Sequence, residues 1–212
     1  MLLEEAREKN PNAQRLLGDL VLLGYPETVS GLQAIHWYRQ AAPHLARTRQ
    51  MAERLGQGQM DEAFALLPAW PLKEDKEESQ TLPALPEREE LMKKAEGGDG
   101  LAMVQLAILD LTPEGEVTES SKGWLSRAAE AGHVGGQILL AMELEPSDAP
   151  AALGWLRKAA ATGSTYGRYR LANHLLSYQS ESPEAVNEAR SLLTALADSG
   201  SEPAKKRLEK IP

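Results

Sequence analysis

The chain has no cysteine anywhere in its 212 residues. That excludes disulfides, thiolate metal sites and a cysteine nucleophile. Aromatic side chains are scarce, with a single Phe. Val and Ile are thin beside Ala and Leu, a balance that favours helix over strand. No run approaches the roughly 18 apolar residues of a membrane span, so no direct membrane insertion is expected. The first residues, MLLEEAREKN, lack both the basic and the apolar part of an export signal. The sequence reads as cytoplasmic if the chain is complete, and as periplasmic if an export signal has been removed. Basic charge is also in deficit: the formal net charge is −8 and the sequence pI about 5.2. This argues against nucleic acid, where counterion release rewards a basic face. A basic protein partner is allowed but not required.

Catalytic patterns are missing too. The four histidines, His36, His44, His133 and His174, fall in no HExxH or comparable metal spacing. There is no G-x-S-x-G elbow and no phosphate loop. Gly97-Gly98-Asp99-Gly100 is glycine-rich, but no strand precedes it and no Lys follows at the right offset. Acidic neighbours such as Glu4-Glu5, Glu77-Glu78 and Glu89-Glu90 do not face each other on a helix, so they read as solvated faces. No catalytic residue, metal site or cofactor is expected. His36 is expected to pack at the core or its rim, and His133 to lie in a loop.

What is present is a repeated phrase. WLSRAAEAGHVGGQ begins at Trp124, and WLRKAAATGSTYGR begins 31 residues later at Trp155. Superposing them yields a frame: Ala, two residues, Gly, three residues, a small residue, three residues, Leu. The frame occurs at Ala129-Gly132-Gly136-Leu140 and Ala160-Gly163-Gly167-Leu171. It recurs at Ala95-Gly98-Ala102-Leu106 and Ala197-Gly200-Ala204-Leu208. A weaker copy is Ala6-Lys9-Ala13-Leu17, and Trp37 precedes Ala41-Ala42 with the same spacing. The leading Ala therefore falls at 6, 42, 95, 129, 160 and 197, mostly at the interval of a helical solenoid.

Each frame position has a physical reason. Ala lets two helices approach closely. Gly supplies the left-handed residue that closes a helix C-terminus. The small residue lies in the next helix where a larger one would push the pair apart, and Leu fills the same face one turn on. Trp is expected to be the large core residue. Ser147 and Ser182 read as N-caps, with Pro183 at the first helical position and Asp99 a further candidate cap. Pro26, Pro113 and Pro146 read as interruptions between helices. The coarse prediction is helices near 2–9, 11–23, 30–41, 44–56, 60–67, 87–96, 100–111, 120–131, 134–144, 148–161, 165–178, 184–198 and 202–210, with no strand.

The pattern W-L-x-x-A-A-x-x-G-x-x-x-G/A at 124 and 155, with W-Y-x-x-A-A at 37 and LGDLVLLGY after Ala13, resembles the Sel1-like repeat family. That family is related to the tetratricopeptide repeat. The resemblance implies an all-α, right-handed superhelical solenoid of helix–turn–helix repeats. It also implies a non-catalytic scaffold or adaptor that binds a partner protein along its concave surface. Two narrower roles follow from the family: an adaptor in a bacterial envelope, secretion or signalling complex, and an immunity-type protein that neutralises a toxin. A hydrolase is a minor alternative. The copy at 42 departs from the pattern, with Leu45 and Arg49 where Gly and a small residue belong and Pro43 intruding.

Between Ala69 and Arg88 the periodicity is lost in AWPLKEDKEESQTLPALPER. The chain thus divides into degenerate repeats over 1–67, a Pro- and charge-rich linker or loop over 68–86, and a repeat solenoid with a capping helix over 87–212. Trp70, Leu82 and Leu85 are apolar within the linker and are expected to pack back on neighbouring helices. MLLEEAREK reads as the second helix of a repeat. Non-core positions of the inner helices supply the candidate partner-binding residues: Gln105, Gln137, Tyr166, Arg168, Tyr169, Arg170 and Asn173. Tyr and Arg are typical of protein-binding hot spots.

Overall fold

A computed structural model describes residues 2–23, 31–42, 45–67 and 84–211. The N-terminal block contains α1 (Leu2–Arg7), α2 (Pro11–Leu22), α3 (Gly31–Ala41), α4 (Ala46–Gly56) and α5 (Met60–Ala65). The C-terminal array contains α6 (Arg88–Glu96), α7 (Gly100–Leu109), α8 (Glu119–Glu130), α9 (Val134–Leu144), α10 (Ala149–Ala161), α11 (Thr165–Tyr178), α12 (Pro183–Asp198) and α13 (Glu202–Leu208). Among the described residues there is no strand. Consecutive helices pack as antiparallel pairs from α6 to α13. α9 also touches α7 on one side and α11 on the other, and the three form an inner layer, with α8, α10 and α12 outside. Pro26, Pro43, His44, Trp70, Leu82 and most of the 68–86 segment lie outside the described residues. Leu85 is described, and it packs against the core beside Gly56.

The repeat frame is a joint between helices. In five copies the residue at the Gly position has a left-handed backbone: Lys9 (φ 66°), Gly98 (89°), Gly132 (83°), Gly163 (95°) and Gly200 (94°). At four of these joints a 6→1 backbone bond closes the outgoing helix, as in His133 N–H to Ala128 O at 3.0 Å. The next residue is the N-cap of the incoming helix in every copy: Asn10, Asp99, His133, Ser164 and Ser201. Each cap accepts the N–H of the frame's small residue, Ala13, Ala102, Gly136, Gly167 and Ala204 respectively. One short phrase thus satisfies orphan groups at both helix ends.

Lys9 is the exception that carries a cost. A side chain in the left-handed region is disfavoured by about 1–2 kcal/mol, and Lys9 is exposed, with no burial to offset it. Lys9→Gly is expected to stabilise the chain by about 1 kcal/mol in urea unfolding. A loss of stability would mean that the joint is not left-handed.

Several expectations need correction. His133 is a helix cap rather than a loop residue. Asp148, not Ser147, caps α10. Trp124 and Trp155 are half-buried at the rim, while their neighbours Leu125 and Leu156 are fully buried. The indole N–H needs a polar partner: Trp124 Nε1 donates to Asp110 Oδ2 at 3.1 Å, and Arg127 lies over its ring at 4.4 Å. Lys158 stacks on Trp155 in the same way. Trp37 alone of the three is buried. The degenerate copy at 42 packs one position out of the frame. Thr48 and Ala52 are buried one position ahead of Arg49 and Glu53, which hold the frame's small and Leu positions, with Leu45, Met51 and Leu55 also buried. The long interval after Ala42 hides a further joint at Gly58 (φ 68°), where Gln59 N–H bonds to Arg54 O at 2.8 Å.

Candidate functional site: the inner face of the repeat array

The inner face is covered by the chain's own N-terminal block. α3 packs on α7 and α9, and α5 packs on α11. At Gly31, which opens α3, a Cβ would lie 3.0 Å from Leu139 and Met142 of α9.

Four candidate residues, Tyr166, Tyr169, Arg170 and Asn173, recur on α11 at helical spacing and share one face. All are buried, and all four donate to the last carbonyls of α2. Arg170 Nη1 reaches Val21 O at 3.1 Å, Tyr166 OH reaches Leu22 O at 3.1 Å, and Tyr169 OH reaches Leu23 O at 3.0 Å. Asn173 Nδ2 makes a longer bond to Leu23 O at 3.4 Å, and its Oδ1 accepts from Arg207 Nε at 2.7 Å. These are carbonyls that no helix can satisfy internally, and they form the negative end of the α2 dipole. Arg170 places a positive charge against that end.

The reverse arrangement holds at the start of α11. Asp61 of α5 accepts from Ser164 Oγ (2.7 Å), Thr165 N (3.1 Å) and Tyr166 N (2.8 Å). A carboxylate here complements the positive end of α11. Phe64, one turn on in α5, packs over Tyr166 and Tyr169 with ring centroids at 5.2 and 4.7 Å. α11 therefore caps a helix of the N-terminal block and is capped by another.

Beneath this contact lies a charged cluster. Arg170 Nη2 pairs with Glu145 Oε2 at 2.5 Å, and His174 Nδ1 lies 3.1 Å from Glu145 Oε1. Burial alone would raise the Glu145 carboxyl, but the Arg170 charge and the His174 bond hold it below the ordinary carboxylate range. Burial works against the Arg170 charge, and Glu145 together with Tyr166 and Tyr169 more than offsets it. The Tyr166 phenol is pushed up by burial and stays protonated as a donor.

The other candidates are also placed. Gln105 Nε2 donates to Gly56 O at 3.0 Å, the end of α4, so it too ties the array to the N-terminal block. Gln137 Nε2 turns back to Ala129 O at 3.4 Å, as Gln14 does to Ala6 O at 3.0 Å. Both seal their own repeat joint. Arg168 is half-buried. Six of the seven candidates, Gln105, Gln137, Tyr166, Tyr169, Arg170 and Asn173, are thus buried in contacts within the chain and do not present an open surface. Each of the six donates at least one side-chain hydrogen bond within the chain, although among the described residues Gln137 Oε1 and Arg170 Nε are buried without a partner. Asp61 and Phe64 were missed; their Asp-x-x-Phe spacing at the start of a short helix was the available signal.

Two further histidines pack at glycines. The half-buried His36 ring lies against Gly115 and edge-on to Trp37 at 5.0 Å. His133 sits among Gly58, Gly100 and Gly135, where added Cβ atoms would approach it to 2.9, 2.5 and 3.1 Å. Its Nδ1 accepts Gly136 N–H at 3.0 Å, so the cap requires that nitrogen unprotonated. Burial lowers the His133 pKa, opposed by Asp99. A lowered folded value means stability is full above the ordinary value of 6.5 and is lost as pH falls through the folded value. His133→Ser, which copies the cap at Ser164, is expected to flatten the stability loss between roughly pH 7 and 5. His36 shares the downward shift, so some slope should remain. His133→Ala is expected to cost about 1 kcal/mol at neutral pH. Parallel pH profiles for His133→Ser and wild type would rule the cap out as the source.

The fold is that of an α/α helical-repeat protein. The Sel1 repeat model matches residues 11–42, 101–133 and 137–164, so the chain carries three Sel1 repeats. Two solved structures are similar. One is a protective antigen present in uropathogenic Escherichia coli strains and displaying an SLR fold, at 23% identity and TM-score 0.49 over 96% of this chain. The other is a Sel1 repeat protein from Oxalobacter formigenes, at 21% identity and TM-score 0.49 over the whole of this chain. This chain spans 41% and 58% of their respective lengths. No functionally curated protein matches it. Sel1-repeat proteins generally serve as protein-interaction scaffolds and are typically non-catalytic. Among the described residues no cluster of three or more His, Asp or Glu could hold a metal ion, and no helix is long and apolar enough to cross a membrane.

Proposed function

We propose that this chain is a non-catalytic protein-interaction scaffold that receives its partner protein on the inner face of α7, α9 and α11, in competition with its own N-terminal block. The observation that carries this reading is the α11 face itself. Tyr166, Tyr169, Arg170 and Asn173 already hold the end of a helix, with aromatic rings beside them. Such a surface combines the large anchors and oriented donors that dominate protein recognition.

The test uses a photo-cross-linking residue at Arg168, on the rim of this face, and another at Arg157, on the outer layer in α10. Arg157 is exposed and pairs with Glu188 of α12. In the native host, position 168 should cross-link a partner that position 157 does not. Cross-links from 157 alone would overturn the inner-face reading.

A further inference from the structure

We propose that α5 is a displaceable resident of a longer docking trough. From a partner protein the trough would receive an amphipathic helix carrying an aspartate and, three residues on, an aromatic side chain. This deepens the scaffold reading above by naming the kind of partner.

The trough floor is the row of repeat joints at 133–135, 162–165 and 199–203, where α9, α11 and α13 begin. The starts of the longer helices α9 and α11 are positive dipole ends, and the one at α11 meets a carboxylate from α5, through the three bonds of Asp61. The resident is a weak element. It has six residues, its N-cap Gln59 makes no side-chain cap bond, and Glu62 and Ala65 are exposed. A helix of fewer than two turns does not hold by itself, so its contacts keep it in place.

The resident is also narrower than its seat. A cleft of about 240 Å³ separates Phe64, Ala65 and Leu67 from Leu196, Gly200 and Pro203. A second of about 410 Å³ separates Gly58, Met60 and Glu62 from Val134, Gly135 and Gly163. Asp61 borders both. The clefts flank α5 along the line of joints, so a longer helix with larger side chains would bury surface that α5 leaves open. Its aspartate would take the three donors at the start of α11, and its aromatic ring would take the place of Phe64 over Tyr166 and Tyr169. Specificity comes from the donors on the buried Ser164 and Tyr166, which reject a helix unable to pair them.

The probe is a fluorescent peptide of sequence QMDEAFALL, identical to residues 59–67, held helical by a side-chain bridge facing away from its Asp and Phe. It is titrated by anisotropy against the full chain in three forms: wild type, Asp61→Ala/Phe64→Ala, and the milder Asp61→Asn, with circular dichroism reporting the fold. The vacated double variant should bind at least tenfold more tightly than wild type, and Asp61→Asn should fall between. Replacing the Asp and Phe of the peptide by Ala should remove that gain. Equal binding to wild type and to a folded variant would overturn the proposal, as would indifference to the peptide's Asp and Phe. Should the double variant fail to fold, Asp61→Asn decides alone. Peptide binding without a cross-linked partner at position 168 would reject the scaffold reading and leave the docking trough standing. The opposite pair of results would do the reverse.

Discussion

Arg170→Met is expected to destabilise the protein by about 3–5 kcal/mol, the largest effect of any single side chain considered. The substitution keeps an unbranched stem of similar apolar bulk and removes the guanidinium, so the loss is chiefly one of charge and hydrogen bonds. It strands Glu145, whose side chain is 14% exposed, without its cation. It also removes the donor to Val21 O, one of the carbonyls that α2 cannot satisfy. The pH dependence separates this from a packing defect. Glu145 has a depressed folded pKa, so the pair's contribution is present above the ordinary value of 4.5 and is lost as pH falls through the folded value. In the variant the stranded carboxylate is relieved by protonation. The gap between variant and wild type should therefore narrow in acid. A gap that stays constant through pH 4 would contradict the charge account. Arg170→Lys should recover part of the loss, since an ammonium keeps the charge but not the two-pronged reach.

Gly136→Val is expected to cost about 3 kcal/mol by forcing α8 and α9 apart. A Cβ at 136 would lie 2.7 Å from Ala128 Cβ and 3.1 Å from the Ala128 carbonyl carbon. Neither can yield without moving backbone. Gly167 is similarly enclosed, 3.0 Å from Ala159, whereas Gly154 on the exposed side of α10 has nothing within 4 Å. Gly154→Ala should therefore stabilise by about 0.5–1 kcal/mol, from helix propensity alone. Opposite signs at 136 and 154 in urea unfolding would show that close approach, not helix propensity, governs the frame. Matching signs would contradict it.

The joints were legible in the sequence because they are local. Ala, Gly, cap and small residue act within eight positions, and each has a single-residue reason to be there. What escaped was chemistry written in different letters. Asn10, Asp99, His133, Ser164 and Ser201 share a role but not an identity, so no single letter marks the position and His133 reads as a loop residue. Gly58 escaped because Leu55 stands where the frame expects Ala. The candidate site was legible as residues but not as contacts. Tyr166, Tyr169, Arg170 and Asn173 share one face of α11, and that face is filled by a segment some 145 residues earlier in the chain. No spacing rule links α11 to the end of α2. Closure by the N-terminal block follows from tertiary packing of α3 and α5, and α5 reads as an unremarkable short helix on its own.

The central claim is that the N-terminal block occupies the inner face of the array through α11. A double-mutant cycle between Phe64→Ala and Tyr169→Ala in urea unfolding tests it most directly. Their rings are 4.7 Å apart across the two blocks, and a contact of this kind couples by about 0.5–1.5 kcal/mol. The expected result is a coupling of about 1 kcal/mol. Strictly additive effects, within about 0.3 kcal/mol of zero coupling, would mean that the two blocks do not meet on this face.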